Sequence, residues 1–305
     1  MRPTLSLCLS LSDCLSLNDF LRRSVGEIGG LHTWEPRRWE GLLFHRDHNG
    51  LLATRARVAQ EVAIARRDGK VVGAVTPEYP GGVFIQSHPD DTETTESLLD
   101  WALENLRQPR PDGGQWLEVW CHDYDEARAR LLTERGFAPT SEHQLTRRRD
   151  LDATLGHNPV APGYTVRGIE GDADHQRMAE LLNAAFGRDF HSAEEFGNFA
   201  ALAPSYRADL HLVAVAPDGG FAAHAGFTAH AAESFAVVEP VCTHPDHQGK
   251  GLAQALMAEG LRRLEREGIR TAYIGAWYSN PVSNHVYERM GFTSPVADRI
   301  WRLDS

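Results

Sequence analysis

Two dipeptides return at nearly one interval along this 305-residue chain, and that repeat limits what it can fold into. His88-Pro89 recurs as His244-Pro245, an offset of 244 − 88 = 156, and Gly136-Phe137 recurs as Gly291-Phe292, an offset of 291 − 136 = 155. Their surroundings agree. Residues 70–75 and 82–85 read as β-rich segments ahead of the first His-Pro; residues 210–215, 221–228 and 235–243 read as strands ahead of the second. After each His-Pro, apolar residues fall at helical spacing: Leu98, Leu99, Ala102, Leu103 and Leu106 in one copy, Leu252, Leu256, Leu261 and Leu264 in the other. A strand follows (residues 116–120 and 271–275), then a short helix leading into Gly-Phe. Each half also opens on an alternating strand (Leu5, Leu7 and Leu9; residues 164–167) and then a helix. A chain that repeats one order of strands and helices builds the same α/β unit twice. The expected division is a first domain over residues 1–150, a Pro/Gly-rich linker over 151–162 and a second domain over 163–305.

Charge and cysteine content narrow the function. A formal net charge of −11 opposes sequence-independent binding to nucleic acid or an anionic membrane, which needs clustered Lys and Arg. The run Arg147-Arg148-Arg149 reads as a solvated strand end. Cys8, Cys14, Cys121 and Cys242 show neither CxxC nor Cys/His metal spacing, so no metal is expected and the reducing cytoplasm is the default compartment. The N-terminal leucines alternate with small polar residues, as in a strand, and lack the continuous apolar stretch of a secretion signal.

The sharpest chemical signal spans residues 241–253, Val-Cys-Thr-His-Pro-Asp-His-Gln-Gly-Lys-Gly-Leu-Ala. A strand runs into a Gly-rich turn that opens directly onto an amphipathic helix. The first N–H groups of a helix lack intrahelical partners and carry the positive end of its dipole, so such a turn cradles anions. Glycine lets the backbone approach a diphosphate without a Cβ clash. The pattern is neither GxxxxGK[ST] nor the three-glycine dinucleotide fingerprint.

Gln248, Gly251 and Ala253 resemble the Gln/Arg-x-x-Gly-x-Gly/Ala loop of the GNAT superfamily of N-acetyltransferases, a resemblance that covers most of residues 163–305 and, more faintly, residues 3–150. Downstream, residues 280–292 resemble the family's Asn-x-x-Ala-x-x-x-Tyr…Gly-Phe segment, as Asn280, Tyr287 and Gly291-Phe292, with Ser283 at the usual Ala. The resemblance implies two tandem folds, each a mixed, mainly antiparallel sheet flanked by helices. It implies acetyl-CoA as co-substrate, its pyrophosphate held by backbone N–H groups of Gly249, Gly251, Leu252 and Ala253, with Lys250 reaching a phosphate. Backbone groups of Val241 and Thr243 would pair with the pantetheine amides, and Asn280 would contact the pantetheine or the acceptor.

Tyr287 would then face the thioester sulfur. An ordinary tyrosine near 10 is a weaker acid than a thiol near 8.5, so a hydrogen bond to the developing thiolate is a safer role than full proton transfer. Glu239, by period-two alternation on the face of Val241 and Thr243, is a candidate general base, and equally a glutamate held by a structural partner. Pro240 beside it predicts a bulge or splay. Phe190 and His191 are candidate acceptor contacts by family position, while Ser192 and Glu195 have capping-box spacing.

The first half reads as a degenerate copy. Aligned on His-Pro, residues 92–97 stand opposite 248–253 with every glycine gone and Glu93 and Glu96 in the cradle; aligned on Gly-Phe, Leu132 stands opposite Tyr287. The expected activity is acetyl transfer to the primary amine of a small molecule by direct attack in a ternary complex. Members with this tandem plan include one acting on an amino-thiol sugar conjugate; aminoglycosides, polyamines and amino acids stay open as acceptors. So do an acetyl-CoA-binding regulator without turnover and an acyltransferase using another acyl-CoA.

Overall fold

The computed structural model describes residues 2–28, 35–44, 51–151, 156 and 158–305. Part of the expected linker, residues 152–155 and 157, lies outside the described residues. In chain order the elements are β1 (Thr4–Leu7), α1 (Leu11–Ile28), α2 (Pro36–Phe44), α3 (Leu51–Glu61), β2 (Ala63–Arg67), β3 (Lys70–Tyr79), β4 (Gly82–Ser87), α4 (Thr92–Asn105), β5 (Gln108–Pro109), β6 (Gln115–His122), α5 (Glu126–Glu134) and β7 (Ala138–Asp150). There follow β8 (Thr165–Arg167), α6 (Ala173–Phe186), α7 (Ala193–Leu202), β9 (His211–Val215), β10 (Phe221–His230), β11 (Phe235–Thr243), α8 (Leu252–Arg266), β12 (Thr271–Trp277), α9 (Pro281–Arg289) and β13 (Thr293–Asp304).

A contiguous split near residue 155 does not describe the compact units. The first comprises residues 1–39, 52–146 and 295–305; the second comprises 40–51 and 147–294. The reason is a long-range pairing that residue periodicity does not report. Residues 298–304 of β13 pair antiparallel with residues 116–122 of β6 inside the first unit. In the second unit the end of β7 flanks β12, where the Leu151 amide donates to the Arg270 carbonyl at 2.8 Å.

Within the first unit the sheet runs β1-β2-β3-β4-β6-β13, antiparallel except for the parallel pair β4–β6. Its core joins Val75, Val83, Ile85, Val119 and Leu117 of the sheet to Leu98, Leu99 and Ala102 of α4 and Leu132 of α5. The helical stripe expected after His88-Pro89 is therefore the buried face of α4. Within the second unit the order is β12-β11-β10-β9-β8, again antiparallel except for one pair, β11–β12. Each unit is thus the mixed, mainly antiparallel sheet the sequence predicts.

Two helical layers cover the second sheet. On one side Leu252, Leu256, Leu261 and Leu264 of α8 pack with Phe227, Ala236 and Ile274. On the other, Met178, Leu181 and Leu182 of α6 and Phe196 of α7 pack with Val213, Phe221 and Cys242. Gly260 permits the first layer: a Cβ there would lie 2.1 Å from the Phe227 ring.

Sequence order hides one titrating group of the first unit. Asp298 sits opposite His122 in the β13–β6 register, both buried, with Oδ1 and Nδ1 3.8 Å apart. Burial pushes the Asp298 carboxyl up to about 6, against the pull of His122, Arg38 and Arg128. The fold thus favours the protonated acid, and stability falls as pH rises from the unfolded value near 4 through 6. Asp298→Asn, which cannot ionise, should raise the melting temperature at about pH 8 and change it little near pH 4.5; an equal shift at both would remove the titration argument.

Candidate active site

All the cradle residues named from the sequence come together in the second unit. Val241, Thr243, residues 248–253, Asn280 and Tyr287 line one cavity of about 610 Å³. Sequence reasoning missed other walls of it: Ala185 and Phe186 at the end of α6, Gln254, and Val282 and Val286 on α9. The exit of α6 was the available signal for the first two, since Gly187 stops that helix in the left-handed conformation.

Two backbone features create the cavity. First, the parallel pairing of β11 with β12 runs only from Phe235↔Thr271 to Val237↔Tyr273, so beyond Val237 the two strands part. The β10–β11 register slips between Ala225 and Phe227, opposite Glu239 and Pro240, which is the bulge the proline predicts. Gly226 makes the bulge possible, because a Cβ there would meet the Glu239 carbonyl oxygen at 2.7 Å. Second, Gly249 and Gly251 adopt φ values of 75° and 72°, which turn the chain into α8. Gly251 is the N-cap and supplies no side-chain hydrogen bond, so the leading amides of α8 face the cavity without an internal acceptor from the cap.

Around that turn the contacts are local. The Lys250 ammonium donates to the Asp246 carbonyl at 3.0 Å and lies 5.9 Å from the Tyr164 ring centroid. Tyr164 Oη and His247 Nδ1 are 2.8 Å apart.

The opposite wall is the start of α9. Asn280 caps this helix, its Oδ1 accepting from the Ser283 amide at 3.1 Å. Asn284 Nδ2 donates to the carbonyls of Trp277 (2.8 Å) and Asn280 (2.7 Å), which ties the end of β12 to the helix. Asn284 Oδ1 in turn accepts from Arg147 Nη1 at 2.5 Å, while Arg147 Nη2 reaches Glu288 at 2.9 Å. The arginine run is therefore not a solvated strand end. Strand alternation turns Arg147 and Arg149 inward, 3% and 8% exposed, and Arg149 donates to the Met290 carbonyl.

Tyr287 is buried, and burial pushes its phenol up to about 12; the Ser283 hydroxyl and Arg147 pull the other way and Glu239 adds to the rise. The candidate base is placed less simply than expected. Val238 and Val241 both pack on the α8 side although three residues apart, so the bulge breaks the alternation that would have carried Glu239 onto the face of Val241. Glu239 acts electrostatically on Tyr287 but is not among the residues lining the cavity. Phe190 and His191 do not line it either. Asn183 holds the His191 backbone from both sides, at 2.9 and 3.0 Å, and the His191 ring meets Glu195 at 2.8 Å. Ser192 and Glu195 form the capping box their spacing predicts.

In the first unit the corresponding features are filled from within. His88 and His244 form the same turn, each Nδ1 accepting from the amide two residues on at 3.2 Å. Yet α4 is capped at Asp91, three residues past His88, whereas α8 is capped at Gly251, seven past His244. The ungapped alignment of residues 92–97 with 248–253 is therefore corrected: the Gly-rich turn is missing from the first unit, and residues 92–97 are already helix. The carboxylate at its amides is that of Asp91, which accepts from Thr94 N at 3.2 Å and from Arg67 at 2.9 Å.

The gap between parallel strands also recurs, β4–β6 pairing only from Gly82↔Glu118 to Phe84↔Trp120, but it is occupied. Arg128, buried, donates to the Ile85 carbonyl and to Ser87 Oγ at 3.1 Å, and its Nε sits 3.0 Å from Asp125. By the His-Pro offset, Ile85 and Ser87 correspond to Val241 and Thr243. Arg128 and Ser283 both stand three residues after a capping Asp125 or Asn280.

The Acetyltransferase (GNAT) family matches residues 175–292. A mycothiol acetyltransferase from Arthrobacter sp. (strain FB24) is 30% identical over 231 residues, 72% of this chain and 68% of that one. Another from Streptomyces griseus subsp. griseus is 30% identical over 200 residues, and there the match spans just under two thirds of either protein, 63%. Among solved structures, a tandem GNAT protein from the clavulanic acid biosynthesis pathway superposes with a TM-score of 0.64 at 16% identity, over 99% of this chain and 98% of that one. A GCN5-related N-acetyltransferase from Sphaerobacter thermophilus gives 0.63 at 17% identity, over 99% and 96%. At such identities the two structures bear on fold alone.

Proposed function

The chain belongs to the GNAT acetyltransferase family, and from that premise we propose that its second unit moves an acetyl group from acetyl-CoA to the primary amine of a small molecule, by direct attack in a ternary complex. One observation carries the reading. The second unit leaves open both the helix N-terminus and the strand gap that the first unit closes with its own Asp91 and Arg128. A cavity of about 610 Å³ lies within the range typical of small-molecule sites.

In this reading, amides of Gly249, Gly251, Leu252 and Ala253 bind the diphosphate, and Lys250 adds a positive charge beside it. Backbone groups of Val241 and Thr243 orient the pantetheine arm, and the small Ser283 leaves room for it. Asn280 is already engaged as a helix cap, so it shapes the wall. Catalysis rests on holding two reactants in line, which can supply several kcal/mol.

Tyr287 donates a hydrogen bond to the sulfur as charge develops there. With its phenol near 12 and a thiol near 8.5, full proton transfer to the departing thiolate is uphill. Glu239 accepts the amine proton directly or through a water. Phe190 and His191 are the weakest members of the proposed site, since their contacts are with Arg188 and with Glu195. The name of the relatives makes the amine acetylated by mycothiol acetyltransferases the first acceptor to try.

The direct test is release of free thiol when the purified chain meets acetyl-CoA and a panel of amines. Tight binding of acetyl-CoA without release for any amine would overturn the enzyme reading. Tyr287→Phe should lower turnover about tenfold, the worth of one hydrogen bond made in the transition state, and change acetyl-CoA affinity by less than about twofold. Full retained turnover removes Tyr287 from the chemistry.

A further inference from the structure

Outside the cleft, two thiols of the first unit are held together. Cys8 and Cys14 place their Sγ atoms 3.4 Å apart. Neither backbone is loose. The Cys8 amide donates to the Val62 carbonyl at 3.0 Å, and the Cys14 carbonyl accepts from the Trp39 indole at 3.0 Å. Between them Ser10 and Asp13 form a closed turn, Ser10 N and Oγ reaching Asp13 Oδ2 at 3.0 and 2.7 Å, and Arg66 grips the other Asp13 oxygen at 2.8 Å. The approach of the sulfurs is thus set by the β1–α1 turn.

Their surroundings differ in a useful way. Cys8 is 2% exposed, whereas Cys14 is half-buried. The hydrogen bond from Cys8 holds the Cys14 thiol below its ordinary range, against burial and Asp13, with Arg55 assisting. Cys121 and Cys242 are buried, and burial pushes both thiols up to about 12. A thiolate that peroxide can reach is therefore expected at one position, with a second sulfur in contact behind it.

We propose that Cys8 and Cys14 are a site of reversible oxidation at which a hydroperoxide closes an intramolecular disulfide. The Cys14 thiolate attacks the peroxide oxygen; an S–O bond forms, the O–O bond breaks, and the leaving hydroxide takes a proton to become water. Cys8 sulfur then attacks Cys14 sulfur. The S–S bond forms, the S–O bond breaks, and the Cys8 proton leaves with the hydroxide as a second water. Two thiols lose two electrons and one hydrogen peroxide becomes two waters.

The test uses the full chain, hydrogen peroxide, and alkylation under denaturing, non-reducing conditions. No Lys or Arg lies between Cys8 and Cys14, so one tryptic peptide ending at Arg22 carries both. That peptide should lose two hydrogens and take no alkyl group, dithiothreitol should reverse this, and the Cys121 and Cys242 peptides should be fully alkylated. Cys8→Ser should drive Cys14 on to sulfinic acid, and Cys14→Ser should leave Cys8 reduced. The proposal fails if Cys8 and Cys14 are alkylated after a peroxide dose that oxidises Cys14 in Cys8→Ser, or if Cys8 oxidises equally in Cys14→Ser. Should either variant unfold, the wild-type peptide decides: an internal link supports the site, and two alkyl groups after prolonged exposure overturn it.

Discussion

Gly251→Glu should weaken acetyl-CoA binding by more than about a hundredfold, near 3 kcal/mol, with little change in melting temperature. Gly251 caps α8 at φ 72°, ψ 12°, a conformation that costs an L-residue roughly 1–2 kcal/mol. Space is not the obstacle, since the nearest heavy atom to a Cβ there is Gln254 Oε1 at 3.9 Å. A carboxylate at a helix N-terminus is favourable for the helix itself, which offsets the strain. What it displaces is an anion bound to the same amides. Gly251→Ala, carrying strain without charge, should keep most of the affinity. Calorimetry separates the two, and an unchanged Kd for the glutamate would remove the cradle from the proposed mechanism.

Exchanging the residues at the two strand gaps should give large effects of opposite kind. Arg128→Ser strips the Ile85 carbonyl and Ser87 of a buried partner and leaves the buried Asp125 carboxylate with its helix-cap hydrogen bond but without its counter-charge, a loss of about 3–5 kcal/mol for breaking a buried charged network. In urea, the first unit should unfold earlier while acetyl-CoA binding is retained. Ser283→Arg is the reverse case. It brings the side chain that fills the first gap to the matching helix position in the second, and should abolish acetyl-CoA binding in a chain that stays folded. Undiminished affinity in Ser283→Arg would show that the pantetheine arm does not run between β11 and β12.

The legible part of this molecule was local. The order of strands and helices, the Gly-rich turn and the Asn280-to-Tyr287 spacing all follow from short-range pattern, and the cleft brings those residues together. Three things were not legible, each for a physical reason. Loop length hid behind the matched His-Pro turns, because only the cap geometry shows that α4 starts four residues sooner than α8. Arg147 and Arg149 carry the charge of surface residues, and only partners 137 and 141 positions away satisfy them indoors. The bulge at Pro240 was predictable, yet its effect on the direction of Glu239 was not, because an extra residue undoes the alternation used to place it.

The last strand carries a consequence for synthesis. Residues 295–305 belong to the sheet of the first unit, so that sheet keeps a bare edge along β6 until those residues have been made. Vectorial folding, with the leading half finished before the trailing half emerges from the ribosome, is closed to this chain. A fragment stopped at residue 150 exposes unpaired strand groups at β6 and is a candidate for edge-to-edge aggregation, even though it contains every residue of the first repeat.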